Sequence, residues 1–433
     1  MSPHVDVVST QREAPAAELC STPASTMNAP QGSRLAGKRV GMVVFSHYPA
    51  DPRPRRAAEA LIQEGASVDL ICEWDEKSPK RERQDNLTIT RIPIRHFRGG
   101  VLNYAYQYFA FIVWSSLLFA RRMLRRRYDL IHVHNMPDVL VASAILPSLF
   151  GAKVILDQHD PMPELMMTIF GKNEKSLSVR VIRLLEKWSL RRAHLVITVN
   201  EACRRIFSER SCPFDKVAVI MNCPDAALFP FRPACSYPLR ATDARFVIMY
   251  HGSLVERNGL DLAVDAMARL VPKVPNAELR VFGRSTPYLE RVMQKVRELG
   301  LENHVCYLGS RKLELLAGEI EKCDLGVIPN QRNTFTDINT PTRIFEYLAL
   351  GKPVIAPRTA GICDYFGPES LFFFESGNST DLAKCMESAA KHPAEARDAA
   401  RKGQEIYLRH TWAKEREELV NLVAGLMGRA IPV

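Results

Sequence analysis

The stretch NTPTRIFEYLALGKPVIAP, residues 339–357, packs a capped helix start, one acidic residue and a buried strand into a single run. Thr340 is a favourable N-cap, Pro341 suits the first helical position because its missing N–H costs nothing there, and Gly351 followed by Pro353 stops the helix. The pattern predicts a helix over 341–350 whose Ile344, Phe345, Leu348 and Ala349 share one stripe. The short apolar run 354–356 then reads as a central parallel strand. The first-turn N–H groups of such a helix point out of the sheet edge with partial positive charge behind them, a standing site for phosphate to which Arg343 adds a full charge. Glu346 falls three residues after Arg343 and four after Thr342. It either accepts hydrogen bonds from sugar hydroxyls beyond the phosphates or pairs with Arg343 on a solvated face.

Outward from this run, the chain repeats one theme. Strand patterns at 38–45, 68–72, 129–134, 153–156, 194–199 and 217–220 alternate with helical patterns, as in a parallel α/β sheet. A second series follows at 246–250, 278–282, 304–308, 324–328, 354–356 and 371–375. Ligands of such sheets bind beyond the carboxyl ends of the strands, which singles out His47 and Arg53 after the first strand, His134 and Asn135 after the third, and the turn His159–Glu164 after the fourth. Gly283 ends a strand in the second series and serves either the turn or a nucleotide. No G-x-G-x-x-G follows the first strand, which argues against a dinucleotide oxidoreductase. The expected organisation is a disordered tail over 1–37, an α/β domain over 38–230, a proline-rich linker over 231–243, a second α/β domain over 244–410 and a final helical segment over 411–433.

The 433 residues carry a formal net charge of +10, concentrated at Arg53, Arg55 and Arg56 and again at Arg121, Arg122, Arg125, Arg126 and Arg127. Such clusters favour anionic partners: phosphorylated substrates, acidic lipid headgroups or nucleic acid. The ten cysteines show no metal or disulfide spacing, which fits a reducing cytoplasm. The tail lacks the apolar core of a signal peptide. The apolar run 104–120 falls short of the ~20 residues of a spanning helix. The long helix expected over 102–127, apolar first and arginine-rich at its end, is either a core-packing helix whose charge complements its dipole or a peripheral membrane contact.

The run FEYLALGKPVIA resembles the C-terminal signature of the retaining, nucleotide-sugar-dependent glycosyltransferases of family 4, which have the GT-B fold of two Rossmann-like, doubly wound parallel-sheet domains facing across a cleft. His132-Val133-His134-Asn135 is similar to the family's H-x-H-[ND] strand end, His159-Asp160 through Pro163-Glu164 to its H-D-x-x-P-E turn, and Asn222 through Phe229 to its N-x-x-D-x-x-x-F exit from the first domain. The resemblance implies that Glu346 holds the donor ribose and that His159, with Glu164 nearby, positions the transferred sugar. It implies that Thr340, Thr342 and Arg343 meet the diphosphate, that Gly252 admits close backbone approach, and that the last helix returns to the first domain. The chain departs from the family pattern at Ile338, where a second glutamate is usual, and at Ser253 and Asn258, where cations clamp the diphosphate; Arg257 is the candidate replacement. The implied activity is metal-independent transfer of a hexose or N-acetylhexosamine, with no cofactor and no nucleic acid, to a lipid-linked or surface-polysaccharide precursor at the cytoplasmic face of a membrane. An epimerase of the same fold and a catalytically weakened nucleotide-sugar-binding protein are the alternatives.

Overall fold

The computed structural model describes residues 34–94, 101–241 and 243–428. Most of the expected tail, residues 1–33, lies outside them, but folded structure begins before residue 38. Leu35 is fully buried and its N–H donates to the carbonyl of Glu64 at 2.9 Å, while Arg34 bridges Glu64 and Glu417.

Two sheets carry the molecule. The first contains β1 (Arg39–His47), β2 (Ser67–Glu73), β3 (Arg81–Gln84), β4 (Leu87–Ile92), β5 (Leu130–His134), β6 (Lys153–Gln158), β7 (Leu195–Thr198) and β8 (Val217–Val219). Its order is β3-β4-β2-β1-β5-β6-β7-β8, parallel except for the β3/β4 hairpin, which the sequence did not announce because Arg81–Gln84 is exposed and has no apolar alternation. The second contains β9 (Phe246–His251), β10 (Ala277–Phe282), β11 (Val305–Tyr307), β12 (Leu325–Val327), β13 (Val354–Pro357) and β14 (Phe372–Phe374), all parallel in the order β11-β10-β9-β12-β13-β14. Strand order reverses between β1 and β5 in one sheet and between β9 and β12 in the other, so crevices open beyond His134 and His251.

The helix of the opening stretch runs Thr342–Ala349, and Pro341, not Thr340, is its N-cap. The Thr340 hydroxyl instead donates to the carbonyl of Gly361 at 2.7 Å, so no side chain caps the first turn. Ile344, Phe345 and Leu348 are fully buried, each contributing about 1.5–3 kcal/mol. Tyr347 lies flat over Gly326 of β12, where a Cβ would come within 2.4 Å of its ring. The residues expected as a linker are packed down: Arg232 N–H donates to Ala349, and Gln404 bonds both the Arg232 carbonyl and the Ala234 N–H.

The last helix, Trp412–Leu426, buries Leu419, Val420 and Val423 in one core cluster with Val40 and Leu61 of the first sheet and its first helix. The helix Val101–Met123 buries Phe111 and Phe119 against the first sheet, where Gly41 leaves room for the Phe119 ring. No helix among the described residues is long and apolar enough to cross a membrane.

Candidate functional site

The helix Pro52–Gln63 is capped by Asp51, whose side chain accepts from the Arg53 N–H, and this aims Arg53 under the ends of β1, β5 and β6. The buried guanidinium forks onto Asp157, with Nη2 2.7 Å from Oδ1, and also donates to the Ile220 carbonyl and to Asn222 Oδ1 at 2.9 Å each. Burial opposes charge on Asp157, but Arg53 and the imidazoles of His132 and His134 outweigh it and hold the carboxyl well below the usual range. Arg53 is therefore a buried positioning charge, already spent on Asp157.

Asp157 in turn organises the histidines. His134 Nδ1 lies 3.4 Å from Asp157 Oδ2 and 3.1 Å from His159 Nε2. His132 is fully buried; burial and the charge of His134 lower it to about 4. His159 keeps 18% of its side chain exposed, and burial, opposed by Asp157 and aided by Arg53, holds it well below an ordinary imidazole. It is a neutral ring with one edge open to ligand. Asn135 pins the backbone that carries it: its Oδ1 accepts the main-chain N–H of His159 at 2.7 Å, and its Nδ2 donates to the Asp160 carbonyl, Asp138 and Gln158, while the ring itself meets His134. His132, His134 and Asp157 also bring three metal-capable atoms within 4.8 Å of one another. The carboxylate they share already neutralises a guanidinium, which leaves little charge for a cation.

Glu164 corrects the sequence expectation. Its carboxylate is buried and paired with Arg210 at 2.6 and 2.9 Å, and Arg210 also grips Glu186. It braces the helix Met162–Phe170 against its neighbours and does not face the ligand space. His47, expected at the cleft, stands at the exposed end of β1, 3.9 Å from Glu73.

Across the cleft, Gly252 adopts φ +127°, a conformation suited to glycine, and a Cβ there would press within 3.2 Å of Arg343. Arg343 donates to the His251 carbonyl at 2.7 Å and to Asn330 Oδ1 at 3.2 Å, not to Glu346. The pairing of Arg343 with Glu346 that spacing allowed is absent. Glu346 instead meets His251 Nε2 at 2.6 Å. Ser253 and Asn258 close their own loop, Asn258 Nδ2 donating to the Ser253 carbonyl at 2.8 Å. Gly283 has no room for a side chain, since a Cβ would sit 2.4 Å from the Gly252 carbonyl oxygen.

Residues from both domains meet in one hollow of about 300 Å³, lined by Arg53, Arg55 and His159 from the first and by Thr342 and Glu346 from the second. Arg257 lines a separate hollow of about 600 Å³ with Gln331, Met167 and Thr168, and Arg343 lines neither of the two. Its charge reaches Asp160, whose carboxyl is raised by burial and pulled back by Arg257. Sequence reasoning missed His251, Tyr347 and Asp157 as supports. The signal was present for His251, a polar residue ending a buried strand just before a glycine.

Residues 50–223 match the model of the glycosyl transferase 4-like domain and residues 238–406 that of the glycosyl transferases group 1. The chain is 28% identical over 139 residues to a GDP-mannose-dependent alpha-(1-6)-phosphatidylinositol monomannoside mannosyltransferase of Mycolicibacterium smegmatis, covering 32% of this chain and 35% of that one. It is 23% identical over 291 residues to a D-inositol 3-phosphate glycosyltransferase of an Arthrobacter species, covering 65% and 66%. These matches thus span between about a third and two-thirds of the curated relatives. Among solved structures, sucrose-phosphate synthase from Thermosynechococcus elongatus superposes with a TM-score of 0.71 at 20% identity, over 91% of this chain and 100% of that one, a likeness of fold.

Proposed function

The chain belongs to the group 1 glycosyltransferases of family 4 type, and from that premise we propose that it moves a hexose or N-acetylhexosamine from a nucleoside-diphosphate sugar to a lipid-linked or surface-polysaccharide precursor, with retention at the anomeric carbon and without metal. The observation that carries this reading is the shared hollow: His159 on one wall, and on the other the uncapped start of the Thr342–Ala349 helix with Glu346 one turn in.

In this scheme the first-turn amides and Arg343 hold the diphosphate, Arg257 reaches toward it from its own hollow, and Glu346 accepts from the ribose hydroxyls. His159, neutral, with its main chain held by Asn135 and its ring by His134, bonds a sugar hydroxyl. The acceptor oxygen attacks the anomeric carbon on the face from which the phosphate oxygen departs. Its proton passes to that phosphate, so no protein nucleophile is needed. The mannosyltransferase relative, named for a phosphatidylinositol mannoside, supports a lipid-borne acceptor. A cytoplasmic site beside a membrane follows from that acceptor.

The test is to incubate the protein with labelled nucleotide sugars and a membrane extract in the presence of EDTA. Label appearing in the lipid fraction, with retained anomeric configuration by NMR, is the expected outcome. Epimerised donor, or donor binding with no turnover, overturns the reading.

A further inference from the structure

Most of the large apolar side chains that the described residues leave in solvent lie on four neighbouring helices over one face of the first sheet: Val101–Met123, Ile145–Leu149, Met162–Phe170 and Leu177–Arg192. Phe109, Trp114, Leu117, Leu149, Phe170 and Leu184 are each more than half exposed. On the longest of these helices the exposed stripe lies opposite buried Phe111, Ser115 and Phe119, so the face turned to solvent is as apolar as the face turned to the sheet. Scattered exposed apolar residues are ordinary in a monomer, but a contiguous face of them marks an interaction site.

Charge says what covers it. The four helices contain only two carboxylates, Glu164 and Glu186, and both are buried against Arg210. Against them stand Arg121, Arg125 and Arg127 at the end of the longest helix and Arg180, Arg191 and Arg192 on the last, all exposed. Arg127 stacks over Phe150, joining the cationic rim to the apolar surface. Apolar and aromatic side chains bordered by arginines, with no carboxylate facing water on the four helices and the exposed Glu174 between the last two paired with Arg183 at 3.0 Å, match the headgroup boundary of an anionic bilayer.

We propose that this arginine-rimmed face docks the protein on an anionic lipid surface, with its helices lying in the interface and not crossing it. The helix Met162–Phe170 links that surface to the cleft. It begins just beyond the His159 turn, its Met167 and Thr168 line the Arg257 hollow, and its exposed end is Phe170. A lipid-borne acceptor has a short path along it. The proposal rests on the reading above only for that acceptor, because lipid binding is measurable with neither donor nor acceptor present.

The experiment is co-sedimentation of the full chain with vesicles of phosphatidylcholine alone or with about one-third phosphatidylglycerol, at low and high salt, alongside its mass in solution. Binding to the anionic vesicles that weakens with salt is expected, with about a fivefold loss for each of Arg125→Ala and Arg127→Ala. Leu117→Glu should lose tenfold or more while still binding nucleotide sugar, which shows that it is folded. Equal binding to neutral and anionic vesicles, no binding, or a dimer that shields Trp114 without lipid would overturn the proposal. Absent vesicle binding with intact transfer to a soluble acceptor removes only the docking; vesicle binding with no transfer removes only the reaction.

Discussion

His251 Nε2 stands 2.6 Å from Glu346 Oε2, and the other ring nitrogen lies 2.8 Å from the Tyr347 hydroxyl. That hydroxyl donates to the Met249 carbonyl at 2.7 Å, so it accepts from Nδ1–H, and the short contact on the far side requires a proton between Nε2 and the carboxylate. One oxygen of Glu346 is thus fixed by the strand end, and the other is free to accept from a ligand.

Glu346→Ala should weaken donor binding by about 1.5–3 kcal/mol, the value of hydrogen bonds to a charged acceptor. Titration calorimetry with the nucleoside diphosphate reads it, and unchanged affinity would remove the ribose role. His251→Phe should weaken binding by about 1 kcal/mol through the lost brace alone.

Arg257→Ala should depress kcat by one or more orders of magnitude, because a cation beside the departing diphosphate acts chiefly in the transition state. Arg257 and Glu346 open onto two separate hollows, each lined by residues of both lobes. Wild-type turnover in the variant would leave Arg343 as the cation that balances the leaving group.

Glu164→Ala should cost about 3 kcal/mol of stability, since it leaves a partly buried guanidinium with one carboxylate partner fewer. Donor affinity should stay within twofold. A loss of turnover with unchanged melting temperature would return Glu164 to the chemistry.

Asp138 is buried, and burial with the charge of Glu186 pushes its carboxyl up to about 7. A folded-state value above the unfolded one means the native state holds the extra proton, so this group's contribution is complete below about pH 4 and is lost as pH rises to 7. Asp138→Asn should therefore raise the melting temperature at pH 8, by up to a few kcal/mol in stability, and leave it nearly unchanged at pH 4. An equal shift at both pH values would show that the buried charge is not the cause.

Apart from the β3/β4 edge of the first, both sheets and the reach of the Thr342–Ala349 helix were legible in the sequence, because buried parallel strands and helical stripes leave strong periodic patterns. His159 and Glu346 were legible as residues that face a shared space. What was not legible was which polar side chains are already taken. Arg53, Glu164 and Asn258 look like free ligands in sequence, yet each meets a partner close by in the fold or its own loop: Asp157, Arg210 and the Ser253 carbonyl. The pairing of Glu346 with His251 joins residues 95 positions apart, beyond any helical or strand period.

Ile338, where the family resemblance implies a glutamate, is buried in the first domain's core with its carbonyl bonded to Asn200 Nδ2 at 2.9 Å. The segment leading into the Thr342–Ala349 helix is thereby riveted to the opposite lobe. Any rocking that keeps this rivet turns about residues 338–341 as a fulcrum, with the N-terminal end of the Thr342–Ala349 helix nearly stationary. Rim residues farther from the fulcrum sweep the wider arc, so relative displacement of the two lobes grows from the floor of the trench toward its lip.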